Sequence, residues 1–84
     1  MKEKLQYISN NIKSIRVRHG LSQQEMANKM GISRITYCDY EVNPQKLKVE
    51  TLQTIADVLC CDIVDFFREI NVAKSNYLEQ KEET

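Results

Sequence analysis

Apolar residues recur three or four positions apart along most of this chain, and the first run comprises Leu5, Ile8, Ile12 and Ile15. That spacing places the side chains on one face of an α-helix, and no segment alternates long enough to indicate a strand. The pattern predicts an all-α protein with helices over residues about 4–18, 23–30, 34–41 and 49–60. A fifth predicted helix begins at Asp62 and carries Ile63, Val64, Phe66, Phe67 and Ile70.

The two short central helices have their own start and stop signals. Ser22 and Glu25 have the spacing of a capping box, in which each side chain satisfies a backbone N–H of the first turn. Gly31 suits the end of that helix, and Ser33 is a good N-cap for the next one. Two short helices joined by a tight turn are typical of a helix-turn-helix.

The rest of the chain contains one predicted loop and one polar end. Residues 42–48, VNPQKLK, contain the only proline and are predicted to form a loop. Residues 74–84 are polar apart from Tyr77 and Leu78, so they form either a continued amphipathic helix or a frayed tail. Because a chain of 84 residues buries only one modest core, we expect one domain over residues 1–73, followed by this tail.

Charge divides the chain into two halves, although the formal net charge is zero. Residues 1–48 contain nine lysines and arginines against four acids, a net charge of +5, and residues 49–84 contain three against eight, a net charge of −5. A positive half that meets phosphate while an acidic half faces away is the distribution expected of a nucleic-acid-binding protein. The alternative is that these charges only solvate the surface.

Cysteine and histidine usage indicates neither a disulfide framework nor a metal site. The cysteines, Cys38, Cys60 and Cys61, are odd in number and two are adjacent, which favours a reducing compartment. The single histidine, His19, has no partner at the spacing of a zinc site. No apolar run approaches the ~20 residues that cross a bilayer, and the N-terminus lacks the apolar stretch of a secretory signal. We therefore expect a cytoplasmic protein with no metal, no cofactor and no membrane contact.

The run IKSIRVRHGLSQQEMANKMGISRITYCDYE, followed by VETLQTIADVLCCDIVDFF, resembles the Cro/repressor-type (XRE-like) helix-turn-helix family of bacterial and phage transcription regulators. The resemblance covers residues about 12–67 and is carried by a register of positions, namely Arg16, Gly20, Gln23, Glu25, Ala27, Gly31, Ser33, Glu41, Leu52, Ile55, Ala56 and Leu59. It implies a compact five-helix repressor-like DNA-binding domain. It also implies a partly buried ion pair between Arg16 and Glu41, to which the alternative is two unrelated surface charges.

The resemblance places the residues that read DNA bases on the third helix. The family's base-reading positions correspond to Arg34, Ile35 and Asp39, with Ser33 and Thr36 close by. A guanidinium such as that of Arg34 can bond to O6 and N7 of guanine, and Ile35 suits a thymine methyl group. Asp39 either accepts a hydrogen bond from a cytosine amine or holds Arg34 in place.

Contacts to the DNA backbone are expected from residues within and around this helix. Gln23 resembles the phosphate-clamping glutamine of the family, at a helix start whose N–H groups favour phosphate. Tyr37 replaces a β-branched aliphatic residue, which suggests that its hydroxyl reaches solvent or a phosphate. Lys46 and Lys48 flank the following loop, and each is as readily a solubilising surface charge as a phosphate contact. The loop departs from the family, because VNP stands where a small or polar residue and glycine are common.

A single recognition helix contacts only a few base pairs, so helix-turn-helix domains generally act as two-fold dimers. The predicted fifth helix has more apolar residues than one face can bury in so small a core. Val64, Phe67 and Ile70 are therefore the candidates for a symmetric dimer interface. The alternative is that Phe66 and Phe67 both fold inward.

The sequence thus predicts a transcription regulator that binds a double-stranded DNA operator as a small dimeric repressor or an autoregulatory control protein. An antitoxin-like protein that also binds a protein partner is the alternative, because the acidic half and the tail have no assigned role. An enzyme is disfavoured, since Ser22 and Ser33 are better used as helix caps and His19 has no nearby nucleophile to activate.

Overall fold

The computed structural model describes the backbone of residues 2–68 and the side chains of residues 5–68. All regular structure in this part of the chain is helical. The elements are α1 (Lys2–Arg18), α2 (Gln23–Met30), α3 (Arg34–Val42), a first 3₁₀-helix (Pro44–Lys46), α4 (Val49–Leu59) and a second 3₁₀-helix (Ile63–Phe67). None of these helices is long and apolar enough to cross a membrane.

The predicted fifth α-helix is where the fold differs from the sequence prediction. Over the described residues it is a 3₁₀-helix, which Asp62 caps and which ends at Arg68 in an extended conformation. Nδ2 of Asn11 donates to the carbonyl oxygens of Phe66 (2.9 Å) and Arg68 (2.7 Å). A side chain of α1 therefore satisfies carbonyl groups near the end of this element. Residues 2–68 contain four α-helices rather than five, and Ile70 and the predicted tail lie outside the described residues.

Helix α1 packs against α3, α4 and both 3₁₀-helices, while α2 packs against α3 and α4. The core draws apolar side chains from all four α-helices and from the second 3₁₀-helix: Ile8, Ile12, Ile15, Met26, Ala27, Tyr37, Leu52, Ile55, Ala56, Leu59 and Phe66. Phe66 is fully buried, whereas Phe67 keeps 44% of its surface exposed. The two phenylalanines therefore do not both fold inward.

Local caps set the boundaries of the helix-turn-helix. The Ser22 hydroxyl accepts from the Glu25 amide at 3.0 Å, and the Glu25 carboxylate accepts from the Ser22 amide at 2.8 Å. Gly31 ends α2 with a φ of 72°, a left-handed conformation that glycine adopts without steric cost. Ser33 caps α3 by accepting from the Thr36 amide at 3.1 Å. These contacts confirm the predicted capping box and the predicted N-cap.

The segment between α3 and α4 is shaped by its proline. Pro44 is buried and opens a single turn of 3₁₀-helix within the predicted loop. Asn43 has φ −121° and ψ 79°, so it does not adopt the left-handed conformation that a glycine at this place would favour. The following proline disfavours helical geometry at Asn43, which explains why α3 ends here.

Candidate nucleic-acid interface

The start of α3 presents four of the predicted base-reading residues to solvent. Ser33, Arg34, Ile35 and Thr36 are all exposed, and Ile35 keeps 76% of its surface accessible. The Ser33 hydroxyl donates to Oγ1 of Thr36 at 2.9 Å, which links the two polar side chains at the helix start. A guanidinium beside an exposed aliphatic side chain offers a base pair both hydrogen-bond donors and an apolar surface.

Asp39, the fifth predicted base-reading residue, is bound to residues that follow α3. Its Oδ1 accepts from Nδ2 of Asn43 at 2.6 Å, and its Oδ2 accepts from Nζ of Lys46 at 2.8 Å. The bond from Lys46, and then that from Asn43, lower the pKa of Asp39. Arg34 donates instead to Sγ of Cys38 at 3.6 Å. Asp39 therefore holds Lys46 and not Arg34, while its contact with a base stays a prediction.

The two predicted backbone-contacting lysines lie between α3 and α4. Lys46 keeps 57% of its side chain exposed even within its ion pair. Lys48 is exposed at the N-cap position of α4. Both line a shallow surface depression together with Tyr40 of α3. The structure thus places two positive charges beside α3, and their contact with phosphate stays a prediction.

A buried ion pair joins α1 to the end of α3. Nε of Arg16 donates to Oε2 of Glu41 at 2.7 Å and Nη2 donates to Oε1 at 3.2 Å, and the two residues are only 7% and 9% exposed. The remaining nitrogen, Nη1, donates to the carbonyl oxygen of Leu21 at 2.7 Å. The guanidinium therefore ties α3 to both α1 and the connection that leads into α2.

Tyr37 completes the surroundings of Glu41 from inside the core. Its side chain is fully buried and its hydroxyl donates to the Glu41 carboxylate. Burial, and then this hydrogen bond, raise the pKa of Tyr37. The expectation that the Tyr37 hydroxyl reaches solvent or a phosphate is therefore wrong. The sequence held a signal for the observed contact, because residues four apart on a helix are neighbours.

Gln23 of α2 connects this buried cluster to Cys38 on the more exposed side of α3. Its Nε2 donates to Oε1 of Glu41 at 3.1 Å, and its Oε1 accepts from Sγ of Cys38 at 3.1 Å. Burial raises the pKa of Glu41, but the hydrogen bonds from Arg16, Tyr37 and Gln23 outweigh burial and hold that pKa below its ordinary value. The carboxamide of Gln23 is thus engaged within the protein, a role that sequence reasoning missed.

Comparison with known proteins places the chain in a family. The profile of the Helix-turn-helix family matches residues 12–66, more than half of the chain. The chain belongs to this XRE-type helix-turn-helix family.

Two relatives of this helix-turn-helix chain carry regulator names. It is 40% identical over 48 residues to the cryptic phage CTXphi transcriptional repressor RstR of Vibrio cholerae, a match that covers 57% of this chain and 43% of that protein. It is 39% identical over 51 residues to the uncharacterized HTH-type transcriptional regulator YqaE of Bacillus subtilis (strain 168), a match that covers 61% of this chain and 44% of that protein. The matches thus span less than half the length of either relative. No solved structure matches the chain significantly.

Outside the helix-turn-helix, two of the three predicted interface residues are exposed. Val64 and Phe67 keep 54% and 44% of their surface accessible, and Ile70 lies outside the described residues. Side chains three positions apart in a 3₁₀-helix lie above one another. Val64 and Phe67 therefore form one exposed apolar ridge on the second 3₁₀-helix.

Sequence reasoning also missed two buried polar residues of α1. Ser9 donates from its hydroxyl to the Tyr40 carbonyl at 2.9 Å, and it is 1% exposed. Asn11 is 8% exposed and makes the two contacts with the second 3₁₀-helix described above. The available signal was their position beside the apolar residues Ile8 and Ile12 in the amphipathic pattern of α1.

Proposed function

We propose that this protein is a sequence-specific transcription regulator that binds a double-stranded DNA operator through the exposed face of α3. The observation that supports this best is the exposure of Arg34 and Ile35 on a helix that is firmly held from behind. Ser33 caps its first turn, and the buried Arg16–Glu41 pair anchors its end. Residues that read bases need this kind of rigid support, because a displacement of a fraction of an ångström weakens a directed hydrogen bond.

The proposed mode of binding places α3 in the major groove. Arg34 donates two hydrogen bonds to O6 and N7 of a guanine, and Ile35 packs against a thymine methyl group. The first turn of α2, which begins at Gln23 and packs beside α3, directs backbone N–H groups at a phosphate. Because the Gln23 carboxamide already binds Glu41, the backbone rather than the side chain supplies this contact. Lys48 adds a second contact to the DNA backbone.

Dimerisation through Val64 and Phe67 is the second part of the proposal. Two exposed apolar side chains can be buried against the same two side chains of a second copy, and this self-complementary contact is what a two-fold interface requires. A dimer presents two copies of α3 to half-sites about one helical turn of DNA apart. Similarity to the repressor RstR favours repression as the outcome of binding.

The test of DNA binding starts from a pool of random duplexes, from which the protein selects its preferred sites. Arg34→Ala is expected to lose the preference for guanine at one position, by roughly 5- to 150-fold, which corresponds to about 1–3 kcal/mol. Arg18→Ala, which removes an exposed arginine at the end of α1, is the matched control and should keep that preference. Selection of no common site by the wild-type protein contradicts the proposal and favours the protein-partner alternative.

The dimer is tested by sedimentation equilibrium of wild-type protein and single variants. Phe67→Ser is expected to shift the population toward monomer, and to weaken binding to a two-half-site duplex more than binding to a single half-site. Val42→Ser removes a comparably exposed apolar side chain at the end of α3 and should leave the association unchanged. An equal effect of the two substitutions would contradict an interface at the second 3₁₀-helix.

A further inference from the structure

Asp39 brings a negative charge to the helix that the proposed function turns toward DNA. Apart from the buried Glu41, it is the only acidic residue of α3. Its side chain keeps 36% of its surface exposed, one helical turn after Ile35. An uncompensated carboxylate at this place repels DNA phosphates and lowers the affinity of the whole surface.

Both oxygens of the Asp39 carboxylate are held by residues of the segment after α3. Asn43 donates to Oδ1 at 2.6 Å, and Lys46 donates to Oδ2 at 2.8 Å. Each oxygen of a carboxylate has about two acceptor positions, so each of them can still accept one further hydrogen bond. The carboxylate is therefore neutralised and fixed in orientation while keeping the capacity to bind a donor from outside.

We propose that Lys46 is the counter-ion of Asp39 in the DNA complex rather than a phosphate contact, and that Asp39, Asn43 and Lys46 form a specificity-determining unit. This unit accepts a hydrogen bond from the exocyclic amino group of a base. In the major groove, N4 of cytosine and N6 of adenine are donors, whereas O6 of guanine and O4 of thymine are acceptors. The carboxylate favours the first two bases and repels the other two. The inference rests on the proposed function.

The ion pair persists on binding because the alternative is worse for Asp39. If Lys46 moved to a phosphate, the carboxylate would lose its only cationic partner among the described residues as it approached the negative DNA backbone. Excluding water between α3 and the bases also strengthens the attraction between Lys46 and Asp39, since the local dielectric constant falls. Asn43 is neutral, so it can orient the carboxylate but cannot neutralise it.

A double-mutant cycle distinguishes a counter-ion from a phosphate contact. The variants of the test cycle are Asp39→Ala, Lys46→Met and the double variant. Lys48→Met, made alone and together with Asp39→Ala, is the matched control for a neighbouring lysine. Each protein is titrated against four duplexes that carry each base in turn at the position where Asp39→Ala changes the selected site. The titrations are repeated over a range of salt concentrations, and circular dichroism checks that each variant is folded.

Wild-type protein is expected to prefer duplexes with cytosine or adenine at that position by at least fivefold, and the four duplexes report which amino group is read. Asp39→Ala brings the four affinities to within about twofold of one another. Lys46→Met leaves the carboxylate uncompensated, so it weakens binding to all four duplexes and also reduces the preference, but it has both effects only when Asp39 is present. Lys48→Met weakens all four duplexes equally, lowers the salt slope by about 0.9 and shows no coupling to Asp39.

Two results would overturn the inference while leaving the proposed function intact. In the first, Lys46→Met weakens all four duplexes by the same factor whether or not Asp39 is present, as Lys48→Met does, which identifies Lys46 as a phosphate contact. In the second, the protein selects a site but Asp39→Ala alters the preference at no base. Failure of the wild-type protein to select any DNA overturns the inference together with the proposed function.

Discussion

Breaking the buried ion pair between Arg16 and Glu41 should cost this protein much of its stability. Glu41→Met leaves the Arg16 guanidinium buried with only the Leu21 carbonyl as a partner, and Arg16→Met leaves the carboxylate without its cation. Removing one partner of a buried pair typically costs about 3–5 kcal/mol. A domain of this size has a free energy of unfolding of about 4–13 kcal/mol, so either variant removes a large fraction of it.

The double variant separates the stranded charge from the loss of packing. With both charges gone, the Tyr37 hydroxyl, the Gln23 amide and the Leu21 carbonyl each lose a partner. The Tyr37 hydroxyl is fully buried, and its unpaired state costs about 1–3 kcal/mol. The two substitutions should therefore be far from additive, with a coupling free energy of about 3 kcal/mol or more. Adding Tyr37→Phe to the double variant removes the unpaired hydroxyl and should recover part of the remaining loss.

Urea unfolding, followed by the helical circular dichroism signal at neutral pH, measures these differences. Each single variant should also lower Tm by roughly 4–8 °C for every kcal/mol lost. Arg18→Met removes an exposed arginine from the end of α1 and should change stability by no more than about 0.5 kcal/mol. Losses below about 1 kcal/mol for both single variants, or losses that simply add, would refute the reasoning that the buried pair anchors α3.

Three further outcomes follow from the structure. Burial raises the pKa of Glu41, but its hydrogen bonds lower that pKa by more, so the native value lies below the ordinary one. The ionised carboxylate therefore contributes its full stabilisation above about pH 4.5, and this stabilisation is lost as pH falls through the native pKa. The urea midpoint of wild-type protein should accordingly fall more between pH 5 and pH 3 than that of Glu41→Gln, and parallel curves would contradict this. Asn11→Ala should lower the free energy of unfolding by about 1–3 kcal/mol, because it removes two hydrogen bonds to the carbonyl groups of Phe66 and Arg68. Asn10→Ala, at the exposed neighbouring position, should change it little in the same urea assay. Cys60 ends α4 in a left-handed conformation at φ 54°, which glycine adopts without steric cost. Cys60→Gly should therefore raise the free energy of unfolding in urea by about 0.5–1 kcal/mol. A similar gain from Cys60→Ala would show that backbone strain is not the cause.

The helix-turn-helix itself could be read from the sequence because its determinants are local. Ser22 with Glu25, Gly31 and Ser33 act on backbone groups within one turn of themselves, so their spacing alone predicts where α2 and α3 begin and where α2 ends. The exposed start of α3 followed in the same way, from its amphipathic pattern and the family register. These features need no knowledge of how distant parts of the chain pack.

The partners of the polar side chains were decided only by the tertiary structure. Glu41 collects donors from residues 16, 23 and 37, and Asn11 binds carbonyl groups 55 and 57 positions away. The Tyr37 hydroxyl, predicted to reach solvent or a phosphate, instead donates to Glu41 inside the core. Sequence patterns fix which face of a helix is apolar, but the polar contacts at its edges depend on which helices meet and at what distance. Packing therefore determined which polar side chains of this region stay exposed and which hold α3 in place.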